Sequence, residues 1–318
     1  MPAPRLVAHN EAVTEPIIID CDPGVDDAVA LLLAFASPEL DVLAVTTVGG
    51  NVAAAKTARN ACLVREVAGR ETVPVFAGAT RPLVREPVEA GDFHGAEGLG
   101  SMPAFEPAQG LASGAASRAI VDIVLSRPMH SVSLVVIGPM TNVAAAMAGE
   151  PALAARLKQL VVMGGARSEG GNITASAEFN IFADPHAAAA VFASGAPIVC
   201  FGLDATHQVR ATEARIAAIE ALGTPCAAMA AAMLRFSRQV EREVVRGIDA
   251  PLHDPCPIAW LLRPELFDLK PCRIEVETLS PLTMGHTAVE FRSERPNARW
   301  AVSADADGVF ALITERLA

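Results

Sequence analysis

The sequence predicts an α/β fold in which a mostly parallel, doubly wound sheet is flanked by helices. The predicted strands are apolar runs without polar alternation, which is typical of strands buried on both faces and paired in parallel. These strands alternate along the chain with segments of helical periodicity, as repeated strand–helix–strand units do. Together the two observations favour a layered α/β domain over a β-sandwich or a helical bundle.

In the first two thirds of the chain, the predicted strands and helices alternate in this way. A strand is predicted at Pro16–Asp20 and, after the turn Pro23-Gly24, a nearly continuously apolar helix at Asp26–Ala36. The next predicted elements are a strand at Asp41–Val48, a helix at Val52–Ala68, and strands at Val73–Ala77, Ser131–Ile137, Gln159–Met163 and Pro197–Gly202.

The final third of the chain has a less regular pattern. Arg273–Thr278 and His286–Phe291 are predicted as strands of an antiparallel pair, and Gly308–Leu317 as a terminal helix. Because no linker rich in Pro, Gly or Ser divides the chain, we expect one domain over residues 16–318. Residues 1–15 are expected to form a flexible N-terminal extension.

Composition excludes several classes of protein. The 318 residues are 52% hydrophobic and 19% charged, which describes a folding chain and not a disordered one. No apolar stretch approaches the roughly 18 residues of a membrane helix, and the N-terminus lacks the apolar core of a secretory signal, so we expect a cytoplasmic protein without a membrane partner. A net charge of −11 argues against nucleic acid as a partner.

The six scattered cysteines show no CxxC pair and are expected to be reduced, mostly buried thiols.

An acidic cluster follows the first predicted strand. Asp20, Asp22, Asp26 and Asp27 lie within eight residues, at the junction between this strand and the next helix. Aspartates at a helix N-terminus can be simple caps, but capping accounts for one or two of them and not for four. Convergent carboxylates repel one another unless protons or a cation intervene, and carboxylate oxygens are the ligands that hard divalent cations prefer. The cluster therefore favours a metal site.

Other polar groups also follow predicted strands, where doubly wound sheets bind their ligands. Each has an ordinary structural alternative: His253-Asp254 can be a helix cap with a surface histidine, the Asn172–Asn180 loop a solvated loop, and Gly49-Gly50-Asn51 a turn. His94 lies in residues 78–111, a long irregular segment of the kind that often forms a lid. Taken alone, His94 and His207 are more readily explained as incidental. No GxGxxG, P-loop, HExxH or GxSxG motif occurs at a fitting junction.

Together these segments resemble a known enzyme family, the inosine–uridine preferring nucleoside hydrolases. The signature segment is IIIDCDPGVDDAVALLLA, residues 17–34. The further matching blocks, in the order of the family, are VTTVGGN (Val45–Asn51), HGAEGLG (His94–Gly100), IGPMTN (Ile137–Asn142), VVMGG (Val161–Gly165), AEFNIFADP (Ala177–Pro185), GLDATHQ (Gly202–Gln208) and HDPC (His253–Cys256). The resemblance implies a single Rossmann-like α/β domain, one bound Ca²⁺ per subunit, and a homodimer or homotetramer. The implied reaction is hydrolysis of the N-glycosidic bond of a ribonucleoside, in nucleoside salvage or catabolism.

The resemblance also implies roles for individual residues. Calcium ligands would be the side chains of Asp22, Asp27 and Asp254 and the backbone carbonyl of Ile137, with Asp20 supporting them from behind. Asp22 would also be the general base that activates the attacking water, and His253 the proton donor to the leaving base. The implied substrate contacts are Asp26, Asn51, Asn172, Glu178 and Asn180 to the ribose hydroxyls, Met163 against the sugar, and His94 near the base.

The chain departs from the family at the base-binding end. It has no tyrosine, whereas some members contact the base through an aromatic hydroxyl on the helix before the His-Asp pair. The corresponding segment, residues 235–246, is strongly charged, and Gln239, Glu241 and Arg242 all remain candidates for base contact. Base preference is therefore left open, and a modified riboside is an alternative substrate.

Two other functions each explain part of the sequence. A phosphatase of the haloacid dehalogenase type also begins with a strand ending in Asp-x-Asp, but it leaves Asp26-Asp27, the EFN block and His253-Asp254 unexplained. A non-catalytic, calcium-dependent nucleoside sensor would be favoured by loss of Asp22, which is present.

Overall fold

A nine-stranded sheet organises the chain. The computed structural model describes residues 14–103 and 105–318, and the strand order in the sheet is β3-β2-β1-β4-β5-β6-β9-β7-β8. The strands are β1 (Glu15–Cys21), β2 (Leu40–Thr47), β3 (Val75–Ala77), β4 (Ser133–Val136), β5 (Gln159–Met163), β6 (Ile198–Phe201), β7 (Phe267–Val276), β8 (Thr287–Glu290) and β9 (Ala298–Ala304). Strands β1 to β6 pair in parallel, and β9 is parallel to β6. Their carboxyl ends therefore meet at one edge.

Helices cover both faces of this sheet. They are α1 (Val25–Ala36), α2 (Ala54–Val67), α3 (Gly91–His94), α4 (Ala116–Ser126), α5 (Thr141–Gly149), α6 (Leu153–Arg156), α7 (Phe179–Ala183), α8 (Pro185–Phe192), α9 (Leu203–Thr206), α10 (Glu213–Glu220), α11 (Pro225–Val240), α12 (Pro255–Leu262) and α13 (Ala306–Arg316). A π-helical turn at Glu241–Val245 continues α11, and a 3₁₀ turn occupies Pro264–Leu266.

The core has two halves, one on each side of the sheet. Ile17 and Ile19 of β1 point into the half that holds α1, α11, α12 and α13, while Ile18 points into the half that holds α4, α5 and α8. Because successive side chains of a strand face opposite ways, the apolar run Ile17–Ile19 of β1 supplies both halves at once. The expected mostly parallel α/β sheet with helices on both faces is confirmed.

The predicted elements are present, with ends that shift by a few residues. The first strand begins at Glu15, and the predicted antiparallel pair forms between β7 and β8. Strand β9 was missed, since its short polar-flanked run in Ala298–Ala304 lacks the long apolar character of the other strands. It separates β6 from β7, parallel to one and antiparallel to the other.

The remaining expectations concern the N-terminus, membrane spans and the cysteines. The N-terminal extension falls on residues 1–13, which lie outside the described residues, and on Thr14 and Glu15. Across the described residues, none of the helices combines the length and the apolar character needed to cross a membrane. All six cysteines are free thiols, and Cys226 alone among them is partly exposed.

The irregular segment 78–111 is fixed to the domain at its far end. The buried guanidinium of Arg65, on α2, donates hydrogen bonds to the backbone carbonyls of Val73, Gln109 and Gly110. Closer to the sheet edge, the segment contains the short helix α3, which brings His94 over the start of α1. The segment thus forms one wall above the carboxyl ends of the strands.

Candidate active site

A cavity of about 430 Å³ opens at the carboxyl edge of the parallel strands. Its floor follows β1, β2, β4 and β5, and its walls come from α3, the 171–180 loop, α11 and the segment before α12. Of the residues proposed from the sequence, those lining it are Asp26, Asn51, His94, Ile137, Met163, Asn172, Glu178, Asn180, His253 and Asp254. Asp22 and Asp27 lie fully buried directly beneath it.

Asp22 is held in a narrow slot immediately after β1. Its Oδ2 accepts a hydrogen bond of 2.7 Å from the backbone N–H of Asn51, but no described residue donates to the buried Oδ1. Glycines flank the slot: a Cβ at Gly50 would lie 2.1 Å from Oδ2, and one at Gly138 would lie 2.5 Å from Oδ1. Because a buried carboxylate oxygen without a donor is costly, the free Oδ1 is the kind of atom that a cation satisfies.

Asp27 forms the second part of the buried acidic group. Its two oxygens accept hydrogen bonds from the backbone N–H groups of Asp22 (3.2 Å) and Gly24 (2.9 Å), and from Nδ2 of Asn51 (3.0 Å). Asn51 Nδ2 also donates to the Asp22 carbonyl, which leaves its own Oδ1 as an acceptor. The predicted turn after β2 therefore serves to orient both aspartates.

Three carboxylates converge closely enough to share one cation. Oxygens of Asp26, Asp27 and Asp254 all lie within 4.8 Å of one another. Burial raises the pKa of Asp27 to about 7, and burial together with neighbouring carboxylates raises the pKa of Asp22 and Asp254 well above the usual range. Such repulsion is relieved by protons or by a divalent cation, so the donor set fits a hard metal ion. The geometric cluster contains Asp26, which the resemblance places on the ribose, and it does not include Asp22, which the resemblance makes a metal ligand.

Glu178 and Asn180 close the floor beside these carboxylates. Glu178 caps α7, and its oxygens accept from the backbone N–H groups of Asn180 (2.9 Å), Gly165 (2.9 Å) and Ile181 (3.2 Å). Burial nevertheless raises the pKa of Glu178 to about 7. Asn180 Nδ2 donates to the carbonyl of Ile137 at 3.1 Å, so this amide holds the carbonyl that the resemblance assigns to the metal.

Asn172 and Met163 complete this side of the cavity. Asn172 Oδ1 accepts from the backbone N–H of Phe179 at 2.9 Å, which leaves its Nδ2 as a donor. The Met163 sulfur lies 3.4 Å from Asn180 Nδ2, next to the floor. Their positions are therefore set by the residues that follow β5.

Asp20 lies behind the floor and does not line the cavity. Its Oδ1 accepts from Thr46 Oγ1 (2.5 Å) and from Asn142 Nδ2 (2.8 Å), and burial raises its pKa to about 7. Asn142 also accepts the backbone N–H of Ala79. This network ties the end of β1 to β2, α5 and the start of the 78–111 segment, which is the supporting position that the sequence resemblance gave to Asp20.

His253 faces the cavity as a buried ring. Its Nδ1 lies 2.8 Å from Thr206 Oγ1, and the His207 ring packs beside it with centroids 5.7 Å apart. Burial lowers the pKa of His253 to about 4, so the ring is neutral at pH 7. When the Thr206 hydroxyl donates to Nδ1, the ring proton lies on Nε2, which can then donate to a ligand.

His94 is presented by α3 from the opposite wall. The backbone N–H of Val25 donates to its Nδ1 at 3.1 Å, and burial lowers the pKa of the ring. Because Nδ1 accepts in this neutral ring, Nε2 carries the proton. Gly24 permits the contact, since a Cβ there would lie 2.2 Å from Nδ1. His94 is thus anchored to the residue that begins α1.

The charged segment 235–246 divides between two surfaces. Ser237, Val240, Glu241 and Val245 line the cavity. Gln239, Arg242 and Glu243 instead lie along a shallow outer groove, where Gln239 Nε2 donates to Glu243 Oε1 at 3.0 Å. Of the three base-contact candidates in the sequence, the structure therefore places only Glu241 at the cavity.

Comparison with known proteins agrees with this architecture. The family model described as inosine-uridine preferring nucleoside hydrolase matches residues 17–311. The chain belongs to this family. It is a ribonucleoside hydrolase, an N-glycosidase.

Relatives of this nucleoside hydrolase match it over nearly their full length. Pyrimidine-specific ribonucleoside hydrolase RihA of Salmonella agona is 42% identical over 306 residues, covering 95% of this chain and 98% of RihA. An uncharacterized protein of Schizosaccharomyces pombe is also 42% identical, over 304 residues, with the same coverage.

Solved nucleoside hydrolases share its fold. The plant nucleoside hydrolase PpNRh1 superposes with a TM-score of 0.89 at 32% identity, covering 95% of this chain and 98% of PpNRh1. The purine-preferring ribonucleoside hydrolase of Gardnerella vaginalis gives the same TM-score and the same coverage at 29% identity. The names of these relatives include both pyrimidine and purine preferences, so the comparison identifies the reaction and leaves the base open.

Sequence reasoning missed several residues that line this nucleoside hydrolase's cavity or hold residues of the site in place. Thr206 holds His253, and Asn142 holds Asp20, although both lie within blocks that carried the resemblance. Arg210 lines the cavity beside His207, but it follows the GLDATHQ block and has no motif of its own. A charged side chain just after a matching block was the available signal for it.

Proposed function

We propose that this enzyme hydrolyses ribonucleosides with one calcium ion bound beneath the sugar. The observation that carries the proposal is the buried, donor-free Oδ1 of Asp22 beside the convergent carboxylates of Asp26, Asp27 and Asp254. Four carboxylates in a buried floor are repulsive without a cation, and their oxygens with a backbone carbonyl make an all-oxygen donor set suited to Ca²⁺.

The residues proposed to hold calcium are Asp22, Asp27 and Asp254, with the carbonyl of Ile137. Asn180 keeps this carbonyl oriented through its 3.1 Å hydrogen bond. When bound, the ion would supply positive charge that lowers the pKa of a nearby water and orients the ribose diol. Asn51 and the backbone N–H groups around Asp27 hold the carboxylates in place before any ligand arrives.

Asp22 is the proposed general base. Its carboxylate is fixed by Asn51 on Oδ2. Oδ1, which would also face the ion, would take a proton from the attacking water through its second lone pair. The flanking glycines keep other side chains out of the slot. This slot would hold the attacking water beneath the sugar.

The ribose subsite is proposed to use mixed donors and acceptors. Asn51 offers an acceptor oxygen, Asn172 a donor amide, and Glu178 and Asp26 offer negative charge. Cleavage of an N-glycoside places positive charge on the sugar ring, and nearby carboxylates stabilise that charge. Met163 packs against the apolar part of the sugar, as its place in the cavity wall allows.

Two histidines are proposed to act on the leaving base. His94 presents an Nε2–H donor from one wall, and His253 a ring N–H from the other. A departing base carries negative charge, so hydrogen-bond donation or proton transfer to it lowers the barrier. The 78–111 segment would exclude water from this end of the cavity.

Replacement of His253 by alanine should separate leaving-group assistance from sugar binding. In His253→Ala we expect kcat/KM for inosine to fall by about 10²-fold or more, with a much smaller loss for a nitrophenyl riboside, whose leaving group needs no proton. Steady-state kinetics with the two substrates measures the difference. Equal losses on both would show that His253 acts on the sugar or on the fold.

The cellular role is proposed from the same chemistry. The products, ribose and a free base, suit nucleoside salvage or catabolism in the cytoplasm, and we propose a homodimer or homotetramer. Residues 16–318 would form the catalytic domain and residues 1–15 an extension.

The test of the function is ribose release from inosine, adenosine, guanosine, uridine and cytidine. Release from any of them supports the proposal, whereas none from all five would favour a modified riboside or a nucleoside sensor.

A further inference from the structure

The short helix α9 holds the ring of His253 by one nitrogen. Thr206, the last residue of α9, is fully buried, and its Oγ1 lies 2.8 Å from Nδ1 of His253. His253 lines the cavity, whereas Thr206 is not one of the lining residues. This hydrogen bond therefore joins the interior of the protein to a side chain that a ligand can reach.

The direction of the bond follows from the surroundings of Thr206. Among the described residues, Oγ1 of Thr206 has no hydrogen-bond partner other than Nδ1 of His253. A buried hydroxyl that donates its proton to nothing is costly. If Nδ1 carried the ring proton, Nδ1 would donate to Oγ1 and the hydroxyl proton would have no acceptor. The hydroxyl therefore donates to Nδ1, and the ring proton lies on Nε2.

The other nitrogen of the His253 ring is open to the cavity. Within the described part of the chain, Nε2 has no hydrogen-bond partner and is not one of the buried atoms that lack one. Because the ring lines the cavity, a ligand there can reach this nitrogen. The proton that the Thr206 hydroxyl keeps on Nε2 thus faces the ligand.

Two further contacts fix the ring and the helix that holds it. The His207 ring packs beside the His253 ring with centroids 5.7 Å apart, and its own Nδ1 lies 3.0 Å from Oε2 of Glu169. Asp204, in the first turn of α9, accepts two backbone hydrogen bonds of 2.8 Å from the loop after β5. The Thr206 hydroxyl is therefore held at a fixed place beside the ring.

We propose that Thr206 is a positioning residue that makes His253 a hydrogen-bond donor to the leaving base through Nε2. The inference rests on the proposed hydrolysis of a ribonucleoside. When the N-glycosidic bond breaks, its electron pair stays on the base, and the Nε2–H group stabilises that negative charge. The base then takes its proton from solvent water, and the proton that Asp22 removed from the attacking water returns to solvent.

The bond to Thr206 favours donation by His253 over transfer of its proton. With Nδ1 accepting from the hydroxyl, loss of the Nε2 proton would leave an anionic ring. A hydrogen bond to a charged acceptor is stronger than one to a neutral acceptor, so the Nε2–H bond strengthens as charge develops on the base. A nitrophenyl leaving group carries its charge without this help. The effect of Thr206 should therefore depend on the leaving group.

The experiment compares two variants of Thr206 on two substrates. Thr206→Val keeps the shape of the side chain and removes the hydroxyl, whereas Thr206→Ser keeps the hydroxyl and is the matched control. With calcium present, kcat/KM is measured for a nitrophenyl riboside and for the natural nucleoside that the wild-type enzyme cleaves fastest. Both variants are also made in the His253→Ala enzyme, which completes a double-mutant cycle.

We expect Thr206→Val to lower kcat/KM about tenfold for the nucleoside and less than about twofold for the nitrophenyl riboside. Thr206→Ser should change either value by less than about twofold. In the His253→Ala enzyme, Thr206→Val should have no further effect, because it acts through the ring that is no longer there.

Nitrogen-15 NMR of the histidine rings gives a readout that needs no turnover. Protonated and unprotonated ring nitrogens have different chemical shifts, and the His253 signals are identified by their loss in His253→Ala. At neutral pH we expect the proton on Nε2 in the wild-type enzyme and a mixture of the two neutral forms in Thr206→Val. If Thr206→Val does not fold, the wild-type spectrum and Thr206→Ser still decide the position of the proton.

Three results would overturn the inference: a wild-type ring protonated on Nδ1, equal losses on the two substrates, or a loss by Thr206→Val that persists in the His253→Ala enzyme. Release of ribose by the wild-type enzyme together with any of these removes only the inference. A wild-type enzyme that releases no ribose from any nucleoside removes the proposed hydrolysis, and the inference with it.

Discussion

Asp22→Asn is expected to lower kcat for ribose release by about 10²–10⁴-fold, the usual contribution of a general base. Asparagine has the same shape, and its Oδ1 can accept the Asn51 N–H that Asp22 accepts now. It has no basic oxygen with which to remove a proton from water. Release of ribose under saturating nucleoside and calcium measures the loss.

The same substitution should leave the fold intact and make the calcium-free protein no less stable. Asp22 is buried against Asp27 and has a strongly raised pKa for that reason, so neutralising it removes repulsion. Asp41→Asn, at an exposed position of β2, is the matched control and should change neither property. Normal turnover by Asp22→Asn would contradict its role as base. A large drop in melting temperature would assign the loss of activity to folding.

Removal of calcium is expected to abolish activity and to lower the melting temperature by about 5 °C or more. A ligand present at many times its Kd stabilises the native state by a few kcal/mol, which for a domain of this size is a shift of several degrees. Thermal unfolding and ribose release are measured with EGTA and then with excess calcium. Activity and melting temperature should both return when calcium is restored. Activity that chelator leaves untouched would contradict the metal assignment.

The calcium-free protein should also lose stability as the pH rises. Burial raises the pKa of Asp20 and Asp27 from 3.8, and of Glu178 from 4.5, to about 7 in each case. Between these values the native chain binds more protons than the unfolded chain. The contribution of these groups to the free energy of unfolding is therefore largest below about pH 4 and falls as the pH rises towards 7. Bound calcium should flatten this slope, which melting curves across the range would show.

The sheet was largely predictable because its strands bury both faces. Such a strand needs an unbroken apolar run, as Ile17–Ile19 of β1 and Leu160–Met163 of β5 provide, and the pattern reveals both the strand and its parallel pairing. Strand β9 obeys a different constraint. It lies between β6 and β7 near one end of the sheet, alternates exposed and buried positions over part of its length, and follows a turn. No local pattern reveals that it inserts between strands distant in sequence.

The floor of the cavity was predictable for a related reason. Asp22, Asn51 and Glu178 each follow a strand, and parallel strands bring their carboxyl ends to one edge. The residues that form the cavity wall were less predictable. Whether Gln239, Glu241 or Arg242 faces the cavity depends on the rotation of α11 and on the π-helical turn after it. That rotation is set by packing against α1 and α10, which composition and periodicity do not encode.

The cavity has two regions of different construction. Its floor is built from the ends of several strands that share one hydrogen-bonded sheet, so a change at one position disturbs its neighbours. The wall that carries Glu241 is one continuous stretch, the end of α11 and the π-helical turn, anchored by side chains on its outer surface. A substitution in this stretch therefore changes one wall of the cavity without changing a residue of the floor. The two regions are encoded far apart in the chain, so their sequences can diverge independently during evolution.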